Sequence, residues 1–250
     1  MARKKLMAAN WKMYKTPAQT REFFQTFLPL IAGQNRNEIV VCPPFVNLAA
    51  AVAASENSQV AIGGQNMHWE KEGAFTGEIS ASMLMAAGCT HVIIGHSERR
   101  QYFGETDDTV NLKLKSALEA DLTPIVCVGE VLEEREAGLT GDVLRRQCLR
   151  AFHAMSAKRA GKLVVAYEPV WAIGTGKTAT PQMASEAHRL IRTEAAKAFG
   201  EEFSSSMRIL YGGSVKPENA VSLMAETEID GALIGGASLD PKSFAAIVNY

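Results

Sequence analysis

The chain carries no marked excess of charge of either sign. Its 250 residues include 26 lysines and arginines against 27 aspartates and glutamates, which gives a formal net charge of −1. Because nucleic acids and anionic membrane surfaces attract proteins with a strong basic bias, neither kind of partner is expected. The sequence also lacks an apolar run long enough for a membrane-spanning helix. The apolar stretch after the basic N-terminal residues is too short for a signal peptide. We therefore expect a soluble, cytoplasmic protein.

Cysteine is scarce as well, with four residues in the chain. No two of them form a Cys-x-x-Cys pair, and no cluster of histidines has the spacing of a metal site. The sequence therefore predicts no metal and no cofactor. Two of the cysteines lie in apolar, strand-like runs, so we expect free, buried thiols in a reducing compartment. The four are Cys42, Cys89, Cys127 and Cys148.

Also absent is any linker, low-complexity segment or block of charge that would divide the chain. Short apolar runs alternate instead with helical patterns along the whole length. The runs are nearly continuous in apolar character, which is typical of strands covered on both faces in a parallel sheet. They comprise residues 6–9, 39–42, 60–63, 91–94, 125–128, 163–166, 208–211 and 231–234.

Between these runs, apolar side chains recur at positions i, i+4, i+7 and i+8, the spacing of a helix with one apolar stripe. Such sets begin at Phe23, Val110 and Met183. Thr16 precedes a proline and forms a capping-box pattern with Gln19, which marks a helix start. The eight strand–helix units predict one α/β domain over residues 1–250. By periodicity alone, this domain is either a closed barrel or a large open sheet.

Polar or glycine-rich sequence follows five of the predicted strands at the same end. In a (β/α)8 barrel of eight parallel strands these ends converge on one face, whereas an open sheet spreads them along an edge. Convergence would unite these residues into one site, and we therefore predict the closed barrel. The residues concerned are Asn10, Lys12, His96, Glu168, Ser214, Gly235 and Gly236.

Glu168 ends the sixth apolar run and is followed at once by Pro169 and by a segment with an apolar tip and two glycines. This composition is typical of a mobile lid hinged beside a catalytic base, and we assign the lid to residues 169–179. A carboxylate covered by such a lid becomes a stronger base, because exclusion of water disfavours its charged form. His96 stands at a predicted helix start, where the helix dipole disfavours the imidazolium ion.

Seven motifs, spread in order over almost the whole chain, resemble those of the triose-phosphate isomerase family. The resemblance implies a single-domain TIM barrel and a cofactor-free aldose–ketose isomerase of glycolysis and gluconeogenesis. Its expected reaction interconverts dihydroxyacetone phosphate and D-glyceraldehyde 3-phosphate through an enediolate. The motifs are Asn10-Trp11-Lys12-Met13, Gln65-Asn66 with residues 73–78, Gly95-His96-Ser97-Glu98-Arg99-Arg100, Cys127-Val128-Gly129-Glu130, Ala166-Tyr167-Glu168-Pro169-Val170-Trp171, Tyr211-Gly212-Gly213-Ser214-Val215 and Gly235-Gly236-Ala237-Ser238-Leu239.

The resemblance also implies a role for each catalytic residue. Glu168 moves a proton between two substrate carbons, and His96 moves protons between the oxygens. Lys12 stabilises the negative charge of the intermediate, and Asn10 donates to a substrate oxygen. Glu98 is expected to orient Lys12.

Substrate phosphate is expected at Gly235, Gly236 and Ser214, because barrels build phosphate sites from the loops after strands seven and eight. Gly174 would close over the phosphate from the lid. By resemblance, Trp171 contacts Glu130 when the lid is open, whereas Tyr211 and Ser214 hold the closed lid. This closure would suppress loss of phosphate from the intermediate.

The long polar segment of residues 65–79 corresponds to the family's dimerisation loop. The resemblance implies a homodimer in which Thr76 reaches the neighbouring active site. Tyr14 departs from the family pattern, which often has a small polar residue there, and this leaves the details of the interface open.

The sequence fits three alternatives to the isomerase less well. The Gly-Lys-Thr of residues 176–178 resembles a nucleotide-binding loop, but Trp171 occupies the position where that motif needs its first glycine. A phosphate-binding epimerase would share Gly235 and Gly236 but lack the set of Lys12, His96 and Glu168. A non-enzymatic scaffold barrel would be expected to have lost a catalytic residue or shortened the lid.

Overall fold

A computed structural model describes residues 3–173 and 178–250 of the chain. Within these residues, eight parallel strands form a closed barrel in which each strand pairs with its neighbours in sequence and the last pairs with the first. The closed barrel confirms the sequence prediction. The strands are β1 (Leu6–Asn10), β2 (Glu38–Cys42), β3 (Val60–Gly64), β4 (His91–Ile94), β5 (Thr123–Val128), β6 (Val164–Tyr167), β7 (Arg208–Tyr211) and β8 (Gly231–Ile234).

Helices surround the barrel and follow the strands. They are α1 (Pro17–Leu30), α2 (Leu48–Ala54), α3 (Ala81–Ala86), α4 (Ser97–Tyr102), α5 (Asp107–Glu119), α6 (Leu132–Glu136), α7 (Thr140–Ala151), α8 (Pro181–Phe199), α9 (Glu201–Ser206), α10 (Pro217–Met224) and α11 (Pro241–Val248). No helix in the described part of the chain is long and apolar enough to cross a membrane.

The strands are apolar on both faces because each face meets a different part of the core. Side chains such as Leu6 and Ala8 point into the barrel, where they form one buried cluster with residues of the other strands. Met7 and Ala9, at the alternate positions, belong to a second cluster that packs against the helices. Alternation of side chains along a strand therefore leaves no face for water, which explains the nearly continuous apolar runs.

The helix starts follow the predicted capping chemistry. Thr16 and Gln19 form the capping box of α1, in which the Thr16 N–H donates to Gln19 Oε1 over 2.9 Å. The apolar stripes are narrower than predicted, since Leu30 and Leu190 are 44% and 42% exposed. Ile191, one residue beyond Leu190, is buried instead.

The segment of residues 65–79 is held by aromatic stacking. The His68 ring stacks on Trp69 and on Phe75, with centroid distances of 4.1 and 4.2 Å. The His68 N–H also donates to the Ile79 carbonyl over 2.8 Å, which ties the two ends of the segment together. All four cysteines are free and buried, as the sequence predicts.

Candidate active site

A cavity of about 300 Å³ opens at the C-terminal end of the barrel. Its lining unites residues from the ends of five strands, as expected when the strand ends of a closed barrel converge. Gly174, which the sequence analysis places in the lid, lies outside the described residues. The predicted site residues in the lining are Asn10, Lys12, His96, Glu168, Ser214, Gly235 and Gly236.

Glu168 is a buried carboxylate, 2% exposed, directly after β6. Its Oε2 accepts from the Ser97 N–H over 3.0 Å, and its Oε1 lies 3.0 Å from His96 Nε2. Burial disfavours the charged carboxylate, but the charge of His96 and the hydrogen bonds from His96 and Ser97 outweigh burial. Together they hold the pKa of Glu168 below its usual value.

His96 caps the N-terminus of α4, as the sequence predicts. Its Nδ1 accepts from the Glu98 N–H over 3.2 Å, so the proton of a neutral ring lies on Nε2, which faces Glu168. The helix N-terminus was expected to keep this ring neutral. In this conformation burial does lower the pKa of His96, but the facing Glu168 carboxylate outweighs burial and raises it above its ordinary value.

Lys12 crosses the mouth of the barrel. Its Nζ lies 2.5 Å from Glu98 Oε1, so the pair that the sequence analysis expects is present. The Lys12 N–H donates to Asn10 Oδ1 over 3.1 Å, and Gln65 Nε2 donates to the Lys12 carbonyl over 2.9 Å. These bonds hold Lys12 at a φ of 51°, a left-handed conformation that costs about 1 kcal/mol for a residue with a side chain.

Gly235 and Gly236 begin a short 3-10 helix (Gly236–Ser238) after β8, the strand that pairs with β1. A Cβ on Gly235 would lie 3.5 Å from Lys12 Cε, so the lysine stem passes close to this main chain. N–H groups at such a turn, with Ser214 and the Lys12 ammonium nearby, suit an anionic group. Lys216, which is not among the residues predicted from the sequence, also lines the cavity.

The sequence of residues 5–250 matches the family model described as triosephosphate isomerase. The chain belongs to the triosephosphate isomerase family. A triosephosphate isomerase of Solibacter usitatus is 58% identical over 99% of this chain and all of the relative's length. The enzymes of that name from Moorella thermoacetica and Dictyoglomus turgidum are 55% and 53% identical, over 99% and 98% of this chain and 99% of each relative.

In this triosephosphate isomerase family member, Glu130 joins Tyr167, the residue before Glu168, to the start of the predicted lid. Glu130 is fully buried, and its Oε1 accepts from Trp171 Nε1 over 2.9 Å and from the Tyr167 hydroxyl over 3.0 Å. The expected contact of Trp171 with Glu130 is therefore present. The Arg135 guanidinium lies 4.6 Å from the centroid of the Trp171 ring and donates to Glu130 over 3.3 Å.

Tyr211 is buried at the end of β7, where burial raises its pKa to about 12. Its hydroxyl lies so close to Gly213 that a Cβ there would be 2.2 Å away. Gly213 therefore has to be a glycine while Tyr211 keeps this position. Among the described residues, no group of three or more histidines, cysteines, aspartates or glutamates could hold a metal ion.

Three residues beside Glu168 were quoted in the motifs without a role of their own. Ser97 supplies two hydrogen bonds to the carboxylate. Gly129 and Gly212 let the main chain approach, since a Cβ would lie 1.7 Å from the Glu168 carbonyl oxygen at Gly129 and 2.9 Å from Glu168 Cγ at Gly212. The signal for both glycines was their position directly after a strand, but the contact they make requires the fold.

Proposed function

We propose that this chain interconverts dihydroxyacetone phosphate and D-glyceraldehyde 3-phosphate without a cofactor. The observation that carries the proposal is the convergence of Glu168, His96 and Lys12 on one cavity that Gly235 and Gly236 also line. A base, a proton carrier and a fixed cation around an anion site are what an enediolate mechanism needs.

In the proposed reaction, the substrate phosphate binds at Ser214, Gly235 and Gly236, with Gly174 closing from the lid. Asn10 and Lys12 contact the substrate oxygens. Glu168 removes a proton from the carbon beside the carbonyl, and the C–H electron pair forms the double bond of the enediolate. The negative charge on oxygen is stabilised by the Lys12 ammonium. Glu168 then returns the proton to the neighbouring carbon.

Glu168 has to exchange partners before it can act. In the described conformation its carboxylate is held by Ser97 and His96, the contacts that lower its pKa. When the carboxylate turns to the substrate it leaves these donors but stays buried, so its basicity rises. The same movement frees the Nε2 proton of His96 for the substrate oxygens, between which His96 carries protons.

The lid of residues 169–179 covers this chemistry. The bond of Trp171 to Glu130 supports a role of that pair in holding the lid open. Tyr211 and Ser214 are proposed to hold it closed. Closure keeps water out and prevents loss of phosphate from the intermediate.

We also propose a cytoplasmic homodimer formed through the loop of residues 65–79, in which Thr76 reaches the partner's active site. Large apolar side chains exposed beside the mouth support an interface of this kind, among them Met13, 93% exposed, Tyr14 and Phe75. Light scattering after gel filtration should give twice the mass of the chain. Thr76→Arg should shift the population towards monomer, whereas Thr227→Arg, on the distant side of the barrel, should not.

Isomerisation of D-glyceraldehyde 3-phosphate by metal-free protein tests the activity, coupled to NADH oxidation by glycerol-phosphate dehydrogenase. We expect fast turnover that falls by about a hundredfold or more in Glu168→Asp, because the shortened carboxylate no longer reaches the carbon. Glu136→Asp, an exposed glutamate on α6, is the matched control. No turnover by folded protein would contradict the proposal and favour another substrate or a scaffold.

A further inference from the structure

Gln147 of α7 holds both main-chain polar groups of Gly129. The Gly129 N–H donates to Gln147 Oε1 over 2.7 Å, and Gln147 Nε2 donates to the Gly129 carbonyl over 3.2 Å. Gln147 is 6% exposed, so little water competes for these bonds. A side-chain amide that pairs in this way takes the place of a neighbouring strand.

The chain at Gly129 lies directly against the base. Strand β5 ends at Val128 and β6 at Tyr167, yet the two chains stay paired beyond their ends. The Glu168 N–H donates to the Val128 carbonyl over 2.8 Å, and the Val170 N–H donates to the Glu130 carbonyl over 3.1 Å. Between these bonds, the Gly129 Cα packs on the main chain of Glu168. A movement of Gly129 therefore moves the base.

A second cavity, of about 500 Å³, borders Gly129 on the outer side of the barrel. Ser97, Glu168 and Gln147 also line it, so the space lies behind the carboxylate, on the side away from the cavity that would bind substrate. Packing is incomplete at such a place, and directed hydrogen bonds have to fix the main chain where side-chain contacts do not.

We propose that Gln147 is a positioning residue of the active site, which acts through Gly129 on Glu168 and on Glu130, the partner of Trp171. It lies outside the lining of the substrate cavity and so acts without touching the substrate. The inference rests on the proposed function, because its effect is on the geometry of the base.

The position requires one donor and one acceptor on the same side chain. In Gln147→Glu the ionised carboxylate accepts from the Gly129 N–H but repels the Gly129 carbonyl, whereas the protonated carboxyl group again donates to it. Burial and the Asp107 and Glu134 carboxylates, which line the same cavity, raise the pKa of the introduced carboxyl group, whereas Arg100 and Arg146 there lower it. Because protonation restores the donor, the loss of activity should be reversed when the pH is lowered.

We expect Gln147→Glu to lower kcat about tenfold at about pH 8 through misplacement of the base, with KM for the triose phosphate changed less than about twofold. The ratio of variant to wild-type kcat should rise towards one as the pH is lowered and the introduced carboxyl group becomes protonated. Gln101→Glu is the matched control, since Gln101 lines the same outer cavity from α4 and its substitution adds the same charge. Its ratio should stay near one at every pH.

Gln147→Met supplies a second, uncharged test. Methionine keeps the length of the side chain but neither donates nor accepts strongly, so kcat should again fall and the Gly129 amide proton should exchange faster with solvent. Active wild-type protein with unchanged kcat in both Gln147 variants, or equal losses in Gln147→Glu and Gln101→Glu, would overturn this inference while leaving the proposed function intact. Inactive wild-type protein would overturn the proposed function. Amide exchange at Gly129 would still report on the two hydrogen bonds between Gln147 and Gly129.

Discussion

At the N-terminal end of the barrel, Asp230 accepts hydrogen bonds from Arg3, from Arg192 and from the main-chain N–H of Ile209. At the opposite end, Glu168 accepts from Ser97 and His96. Both carboxylates are almost fully buried. They differ in their surroundings, since the Asp230 donors come from elements packed around it, whereas Glu168 borders open cavities on both sides.

This difference shows how one fold separates stability from reactivity. A charge with several fixed partners is held in one place, and removal of any partner leaves the others buried and unpaired. A charge beside open space can change partners at small cost. The strained φ of Lys12 also lies at the mouth, where the surrounding bonds have to hold it. Fixed geometry at the N-terminal end therefore serves the fold, and adjustable geometry at the C-terminal end serves the reaction.

The largest effect should come from Glu168→Gln. We expect kcat to fall about a thousandfold or more, because a neutral amide cannot accept the substrate proton. The free energy of unfolding should change by less than about 1 kcal/mol, since the amide fills the same space and still accepts from Ser97. Steady-state kinetics and denaturant unfolding on the same preparation measure both. A variant that loses stability instead of activity would reverse the comparison of the two ends.

Asp230→Asn should show the opposite behaviour. Loss of the charge leaves Arg3 and Arg192 facing a neutral side chain, and we expect the free energy of unfolding to fall by about 3 kcal/mol. Activity per folded molecule should stay within about twofold, because the residue lies at the far end of the barrel. Denaturant unfolding with an activity assay in the absence of denaturant checks both parts. A large fall in kcat of the folded variant would show that the two ends are coupled.

Acid should destabilise the fold in two steps. His188 of α8 is fully buried with its Nδ1 3.0 Å from the Glu228 carbonyl oxygen, and burial lowers its pKa to about 4. Because the unfolded chain binds this proton near pH 6.5, the stability is complete above about 6.5 and falls as the pH drops towards 4, by up to about 3 kcal/mol. The second step belongs to Glu38. The hydrogen bond between Glu38 and His91 lowers the pKa of Glu38 to about 2, with help from Arg208 and against the effect of burial. The contribution of Glu38 is present above about 4.5 and is lost towards pH 2.

The free energy of unfolding, measured by denaturant titration at a series of pH values, should reveal the first step. In His188→Gln the slope between about pH 6.5 and 4 should flatten, while the steeper loss below about pH 4.5 remains. His153→Gln, at the end of α7 and exposed, is the control and should keep the wild-type slope. An unchanged slope in His188→Gln would assign the acid sensitivity to other groups.

The sequence predicted those features of the molecule that depend on residues close together in the chain. All eight apolar runs became strands, with β5 beginning two residues earlier than its run, at Thr123. Glu168 was found because it combines a strand end with a proline and a glycine-containing segment. His96 was found together with the helix start that follows it. Each of these signals lies within a few neighbouring residues, where periodicity and capping rules apply.

Partners that are distant in sequence left no such signal. In the sequence, Gln147 is indistinguishable from the other polar residues of an amphipathic helix. Its hydrogen bond with Gly129 depends on how α7 packs beside β5. The pKa directions of His96 and Glu168 were equally hidden, since each is set by the other across 72 residues of chain (168 − 96). Geometry of this kind follows from the fold as a whole and not from any segment of it.

The smallest effect should come from Asp121→Asn, which separates position from burial. Asp121 precedes β5 at the same end as Asp230 and also forms an ion pair, with 2.6 Å between its Oδ1 and Lys162 Nζ. However, the Asp121 side chain is 79% exposed, so water screens the pair and solvates each charge when the other is lost. We therefore expect the free energy of unfolding to fall by less than about 0.5 kcal/mol. A loss as large as that of Asp230→Asn would mean that any ion pair at the N-terminal end stabilises the fold to the same extent. Burial of the Asp230 carboxylate among Arg3, Arg192 and Ile209 would then not explain its contribution.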